Sequence, residues 1–225
     1  MSRTHALTGA GSGIGRAIAE ILRDRGDQLI LLVRDAERID QLRTEFARAE
    51  FVEADLASPG SLHGIGRAVG RTVDSLVHAA GIVDLSPAAQ QRLDPWQEQL
   101  DVNLTSPAML TREFLPHLRA SRGTLVFVNS TAGLAANATW GAYAASKFGL
   151  RAFADAVRAE ERDVRVTTVF PSRTATPMQA RVHAQEGRDY AEDDWMTPQT
   201  VARSVVQVLD LPADATITDV TIRTS

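Results

Sequence analysis

Two residues near the middle of the chain are of types that can move a proton. In NSTAGLAANATWGAYAASKFG, residues 129–149, Tyr143 is followed four positions later by Lys147. On a helix, side chains at that spacing share a face. A free phenol titrates at about 10 and works near neutrality only if its anion is stabilised. A nearby ammonium does that. Lowering the phenol by about three units corresponds to about 4 kcal/mol, within reach of a desolvated site. The same spacing also suits a solvated lysine beside a packing tyrosine. Ala144, Ala145 and Gly149 keep the helix surface small, so a cofactor or a second helix can lie close. Ser130 ends the run TLVFVN thirteen residues before the tyrosine, with Thr131 as a second hydroxyl beside it.

A second stretch, TGAGSGIG at Thr8–Gly15, has glycines at 9, 11, 13 and 15. It does not fit G-x-G-x-x-G; the pattern is T-G-x-x-x-G-I-G. Glycines at such a turn let the backbone fold tightly and approach a pyrophosphate at a helix N-terminus. An ordinary strand-to-helix turn would use the same residues.

These side chains need elements to hold them. Strands are expected at 5–7, 28–33, 50–54, 75–80, 124–129, 164–170 and 216–222, short runs rich in Val, Ile, Leu and Thr. Helices are expected at 15–26, 34–49, 95–121, 141–162 and 197–211. Pro107 and Pro116 should bend or interrupt the third. Thr197 should cap the last, with Pro198 at its first position. Residues 59–70 have a helical pattern weakened by glycines. Strands alternating with helices predict an α/β fold: a doubly wound, Rossmann-type parallel sheet of about seven strands, with helices on both faces. Such sheets bind ligands at the carboxyl ends of the strands, where strand order reverses. No linker divides the chain, so one domain over 1–225 is expected, with a substrate loop around 176–197.

The combination resembles the short-chain dehydrogenase/reductase family. TGAGSGIG matches its TGxxxGIG turn, and VHAAG (77–81) looks like its NNAG segment. Asn103 in LDVNL matches its helix asparagine. Ser130 and Tyr143-x-x-x-Lys147 match its serine and YxxxK. PSRTATPM (171–178) is similar to its PGxxxT stretch. Order and spacing agree along essentially the whole chain. The resemblance implies hydride transfer between a nicotinamide cofactor and a carbonyl or secondary alcohol. It implies Asn103, Ser130, Tyr143 and Lys147 as the catalytic set. Tyr143 would exchange the proton, Lys147 lower its pKa and bind ribose, Ser130 orient substrate, and Asn103 hold a relay water. Cofactor contacts are implied for Gly9, Ser12, Gly13, Ile14 and Gly15, then Arg34, Asp55, Leu56, Ala80 and Gly81. Pro171, Thr174 and Thr176 complete them, together with Asn103, Tyr143 and Lys147. The long third and fourth helices would pack across a two-fold axis in a homotetramer or homodimer. A relative of this kind that binds dinucleotide as a redox sensor without catalysis is the alternative, as is an NAD-dependent alcohol dehydrogenase.

Cofactor choice turns on the end of the second strand, LILLVRDAE. An acid there selects NAD and an arginine favours NADP. Asp35 lies 20 residues past Gly15, which keeps NAD(H) possible. The family's usual ribose-binding acid falls at Val33, and NADP-preferring members carry arginine where Arg34 stands. NADP(H) is therefore the expected cofactor, Arg34's fork suiting a phosphate and Asp35 capping the next helix. Ser12 and Arg16 could assist. Three departures from the family pattern concern geometry: His78 for an asparagine, Ser172 for a glycine, and a short segment after Thr176. Pocket residues are sought in 82–85, 134–140 and 177–196, with Trp140, Tyr190 and Trp195 as aromatic candidates. Glu192–Asp194 reads as solvated loop.

Composition excludes other classes. The 225 residues are 44% hydrophobic and 23% charged, enough for a sizeable core. Net charge is −4 without a basic run, so nucleic acid is not an expected partner. With no cysteine there is neither disulfide nor thiol chemistry. Histidines at 5, 63, 78, 117 and 183 lack metal-ligand spacing, so no metal is expected. No apolar run approaches the ~20 residues of a membrane span, and the first residues lack a signal peptide's apolar core. A cytoplasmic enzyme acting on a small carbonyl or alcohol is the expectation.

Overall fold

The computed structural model describes residues 2–224; positions 1 and 225, the ends of the expected domain span, lie outside the described residues. Seven strands form one parallel sheet. They are β1 (Thr4–Thr8), β2 (Gln28–Val33), β3 (Glu50–Glu53), β4 (Ser75–His78), β5 (Thr124–Val128), β6 (Arg165–Pro171) and β7 (Asp219–Ile222). Their order is β3-β2-β1-β4-β5-β6-β7, so the direction of winding reverses between β1 and β4.

The helices are α1 (Gly13–Asp24), α2 (Ala36–Arg43), α3 (Ile65–Ala68), α4 (Leu93–Leu100), α5 (Ser106–Ser121), α6 (Gly141–Glu160), α7 (Pro177–Glu186) and α8 (Pro198–Leu209). Strands β1 to β6 divide their apolar residues between two covered faces. Leu7, Leu29, Leu31, Val77, Val126 and Val169 meet α1 and α8 through Ile18, Leu22, Val201 and Val205. Ile30, Leu32, Leu76, Leu125 and Phe127 meet α5 and α6 through Leu110, Phe114, Leu118, Leu150 and Val157. Two-sided burial explains why the strands read as continuous apolar runs. Each such side chain contributes about 1.5–3 kcal/mol.

Three stretches differ from the pattern-based expectation. The long helix expected over 95–121 is broken before Pro107 by a π turn, Asp101–Thr105. Pro107 has no N–H for the carbonyl of Asn103, and Ser106 instead donates five residues back, to Asp101. Pro116 stays inside α5. The segment 59–70 forms only a 3₁₀ turn at Pro59–Leu62 and the four-residue α3, separated by Gly64 at φ 86°.

The third difference is α7, where a loop over 176–197 was expected. Its end signals were present: the Thr176 hydroxyl accepts from Gln179 N–H, Pro177 is first, and Gly187 ends it at φ 66°. Its buried face, however, holds Gln179 and His183 beside Val182. The two polar side chains bond each other at 2.9 Å. A half-polar buried face shows no hydrophobic periodicity. Asp35 and Thr197 cap α2 and α8 through their side chains.

Candidate active site

The turn after β1 opens at the reversal point. Gly9 has φ 79°, and a Cβ there would lie 2.7 Å from Ala80 N. A Cβ at Gly15 would lie 2.3 Å from the Gly9 carbonyl oxygen. Only glycine permits these approaches. Thr8 Oγ1 accepts from the N–H groups of both Ala79 and Ala80, at 3.1 Å each, and so ties β1 to the end of β4. The N-terminus of α1 thereby faces open space beside Ala80 and Gly81.

Beyond that turn, a cleft runs over the end of β2, lined by Gly9, Ser12, Arg34, Asp55, Leu56 and Gly81. Arg34 is exposed, and its Nε donates to Asp35 at 2.8 Å. Asp35 also accepts from Arg38 N–H at 2.8 Å, capping α2. Arg38 and Arg181 line the same cleft and were not singled out in the sequence. Arg38 Nη2 donates to the Gly11 carbonyl at 2.6 Å, which fixes its guanidinium over the glycine turn. The signal was available: Arg38 stands three residues past the cap, in the first turn of α2. Asp55 accepts from Ala57 N–H and the Ser58 hydroxyl, both at 3.0 Å.

On the other side of Ala80 and Gly81 lies a second pocket. Ile14, Ser130, Tyr143, Lys147, Pro171, Thr174 and Thr176 all line it. Lys147 Nζ donates to the Val128 carbonyl at 3.3 Å and lies 5.6 Å from the centroid of the Tyr143 ring. A Cβ on Gly81 would sit 3.2 Å from Asn103 Oδ1 and 3.6 Å from Lys147 Nζ, so Gly81 packs against both. Asn103 accepts from Ile82 N–H and donates to Ile82 C=O, both at 2.9 Å. Its Nδ2 also donates to Ser146 Oγ at 3.1 Å. Ser130 accepts from Ala132 N–H at 3.1 Å and lines the pocket beside Tyr143.

The four hydroxyl, amine and amide side chains thus converge from three elements: the end of β5, helix α6 and the π turn. The short chain dehydrogenase family model matches residues 3–187. The chain belongs to the short-chain dehydrogenase/reductase family. It is an NAD(P)-dependent oxidoreductase. Dehydrogenase/reductase SDR family member 7B of Bos taurus is 34% identical, over 90% of this chain and 66% of that protein. An uncharacterized oxidoreductase of Staphylococcus epidermidis is 29% identical, over 96% of this chain and 95% of its own. A protein of Escherichia coli CFT073, described as a short-chain dehydrogenase and complexed with NADPH, superposes with TM-score 0.89 at 28% identity. That match covers 97% of this chain and 95% of the other.

Within this short-chain dehydrogenase/reductase, electrostatics differ from the sequence reading at one point. Tyr143 is 6% exposed, and burial pushes its phenol up to about 12, against a lowering hydrogen bond from Ser130. Lys147 is 3% exposed, and burial brings its ammonium down to about 8. The protein alone therefore favours the neutral phenol. Desolvation outweighs the lowering effect of the Ser130 hydroxyl.

Asn129 was not anticipated. It is buried, its Nδ2 donates to Lys147 C=O at 3.0 Å, and its Oδ1 accepts from Ser130 N–H at 2.8 Å. One amide thus sets Ser130 against α6. A side chain at Gly133 would collide with it, a Cβ falling 2.6 Å from Asn129 Oδ1. The only sequence signal was a polar residue next to Ser130 at a strand end.

The departures from the family pattern have local solutions. His78 points into the α5 face, with Nε2 3.0 Å from Thr111 Oγ1 and its ring stacked 5.1 Å from Phe127. Burial holds it at about 3, hence neutral. The strand tie passes to Thr8. Ser172 donates its N–H to the Ile222 carbonyl at 2.8 Å and accepts from Thr224 N–H at 3.1 Å, anchoring residues 222–224. Of the three aromatic pocket candidates, only Trp140 lines the pocket, with Val83, Met178 and Val182. Tyr190 and Trp195 pack on His183 instead. Glu192–Asp194 is an exposed 3₁₀ turn.

Proposed function

We propose that this enzyme is an NADP(H)-dependent carbonyl reductase or secondary-alcohol dehydrogenase acting on a small molecule, its whole chain one dinucleotide-binding domain. The observation that carries the reading is the convergence of Ser130, Tyr143 and Lys147 in one pocket, with Asn103 buried behind Gly81, beside a cleft that holds Arg34 and Arg38 and shares Ala80 and Gly81 with it. The residues fit the cofactor. The glycine turn is a cradle that Cβ atoms would fill, and a helix N-terminus beside it suits a diphosphate. Gly9, Ser12, Gly13, Ile14 and Gly15 would hold the diphosphate, and Asp55 and Leu56 the adenine. Ala80, Gly81, Pro171, Thr174 and Thr176 would flank the nicotinamide half. Arg34, with Arg38 behind it, would take the 2′-phosphate, in keeping with the NADPH seen in the Escherichia coli relative.

The nicotinamide, when bound, supplies or accepts the hydride. The chain's residues handle the proton and the positioning. Ser130 orients the substrate oxygen toward Tyr143, and the phenol donates to it in reduction. Lys147 stabilises the phenolate left behind and would hold the ribose hydroxyls of the cofactor. Asn103 holds the Ile82 backbone and the water path to Lys147. The phenol starts as its neutral acid, the form needed for reduction. The helix α7 and the rest of 176–197 cover the substrate. A panel of ketones and aldehydes followed at the NADPH absorbance tests the reading; no oxidation of bound NADPH by any of them would overturn it.

The chain is further proposed to assemble as a homotetramer or homodimer through α5 and α6, whose exposed Phe148 suits a covered face. A sedimentation mass of one chain at micromolar concentration would refute this. Among the described residues no helix is long and apolar enough to cross a membrane, and a cytoplasmic site of action is proposed.

A further inference from the structure

The pocket wall beside Tyr143 is built around one cation. Arg173, just past the end of β6, lines the pocket, and its guanidinium carbon stands 5.7 Å from the ring centroids of both Trp140 and Trp195. Trp140 meets the Tyr143 ring edge-on, with centroids 5.6 Å apart and planes at 71°. From the last turn of α7, Glu186 grips the same guanidinium. Nη1 donates to Oε2 at 2.9 Å and Nη2 to Oε1 at 2.6 Å. The two side chains are 26% and 13% exposed, so the pair is largely withdrawn from water. The Arg173 hydrogen bonds also hold the Glu186 carboxyl below the usual carboxylate range. The other charged side chain lining this pocket, among the described residues, is Lys147, already bonded to the Val128 carbonyl.

This arrangement decides which substrate bodies the wall accepts. A bidentate carboxylate uses the guanidinium's fork. A second carboxylate, brought by a substrate, would have to share that fork. It would also meet a like charge in a partly desolvated site. An uncharged flat ring meets no such cost. It finds the Trp140 indole and the apolar Val83, Met178 and Val182.

We propose that Glu186 is a specificity-determining residue: by occupying Arg173 it makes the pocket select uncharged aromatic carbonyl compounds and reject those carrying a carboxylate. The inference rests on the carbonyl-reductase reading above. Glu186 touches neither the reacting atoms nor the cofactor groove; it acts through Arg173.

The test uses two probes with the same ring and reacting ketone, methyl benzoylformate and benzoylformate, one uncharged and one a carboxylate; the change in their ratio between wild type and variant cancels their intrinsic difference in reactivity. In the wild type, kcat/KM for the ester should exceed that for the acid at least about ten-fold. Glu186→Gln should raise the acid about ten-fold or more, as expected for one released charge-assisted contact, and leave the ester within about two-fold. The same contrast is read without turnover by quenching of tryptophan fluorescence as each probe is titrated into the NADP⁺-loaded protein. The wild-type comparison stands alone should the variant not fold. Equal use or equal binding of acid and ester by the wild type overturns the inference. So does a folded Glu186→Gln with an unchanged ratio, or failure of both probes to bind. If the ester binds selectively but neither probe nor any other carbonyl oxidises NADPH, the functional reading fails and the charge selection stands.

Discussion

Asn103 Nδ2 donates to Ser146 Oγ across 3.1 Å, and that hydroxyl donates to the Tyr143 carbonyl at 2.7 Å. The π turn and helix α6 are thus joined one residue away from Lys147. Because Asn103 also holds both backbone groups of Ile82, its loss strands several polar groups at once. Asn103→Ala should destabilise the fold by about 1–3 kcal/mol and lower turnover. Ser146→Ala should show a coupling with it of at least about 0.5 kcal/mol in a double-mutant cycle by urea denaturation. Simple additivity would mean the bond contributes nothing.

Tyr143→Phe should leave fold and cofactor affinity intact and reduce turnover about 10²–10⁴-fold. The ring and its contact with Trp140 remain; only the acidic hydroxyl is removed. Steady-state rates beside an NADPH titration check this, and activity within two-fold of wild type would sink the assignment.

Cofactor choice should rest on arginines rather than on Asp35. Arg34→Ala should weaken NADPH binding about 10- to 150-fold, the range of a lost charge-assisted contact. Arg38→Ala should act in the same direction, and neither should change NADH binding. Asp35→Ala removes the cap of α2 and should lower the melting temperature, yet leave the preference in place. Tighter NADH than NADPH binding by the wild type, or a preference that changes with Asp35→Ala only, would refute this.

Acid sensitivity should trace in part to His78. Unfolded, the imidazole takes its proton near pH 6.5; folded, burial delays this to about 3. The unfolded chain therefore binds more protons between those values, and stability falls as pH drops from 6.5 towards 3. At pH 5 this one group accounts for up to about 2 kcal/mol. His5, held at about 4 mainly by burial, adds to the same slope. His78→Asn should lose less stability between pH 7 and pH 5 than the wild type, measured as the shift of the urea midpoint. An unchanged slope would show that His78 does not carry it.

The α/β class, the seven strands and the spacing of Ser130, Tyr143 and Lys147 were legible in the chain itself, because they depend on local patterns. Parallel strands buried on both faces must be apolar throughout, Gly15 is demanded by contact with the Gly9 carbonyl six residues back, and a four-residue helical step puts Lys147 beside Tyr143. What depended on tertiary contact was not legible. Helix α7 was hidden because its buried face is half polar, satisfied by a Gln179–His183 bond that exists only once the helix has docked. Asn129 and Arg38 became significant only when folding placed one amide between Ser130 and Lys147 and one guanidinium over Gly11. The phenol's direction was decided the same way. Neighbouring residue types suggested a lowered pKa, but burial is a property of the packed molecule, and desolvation sets the direction at Tyr143.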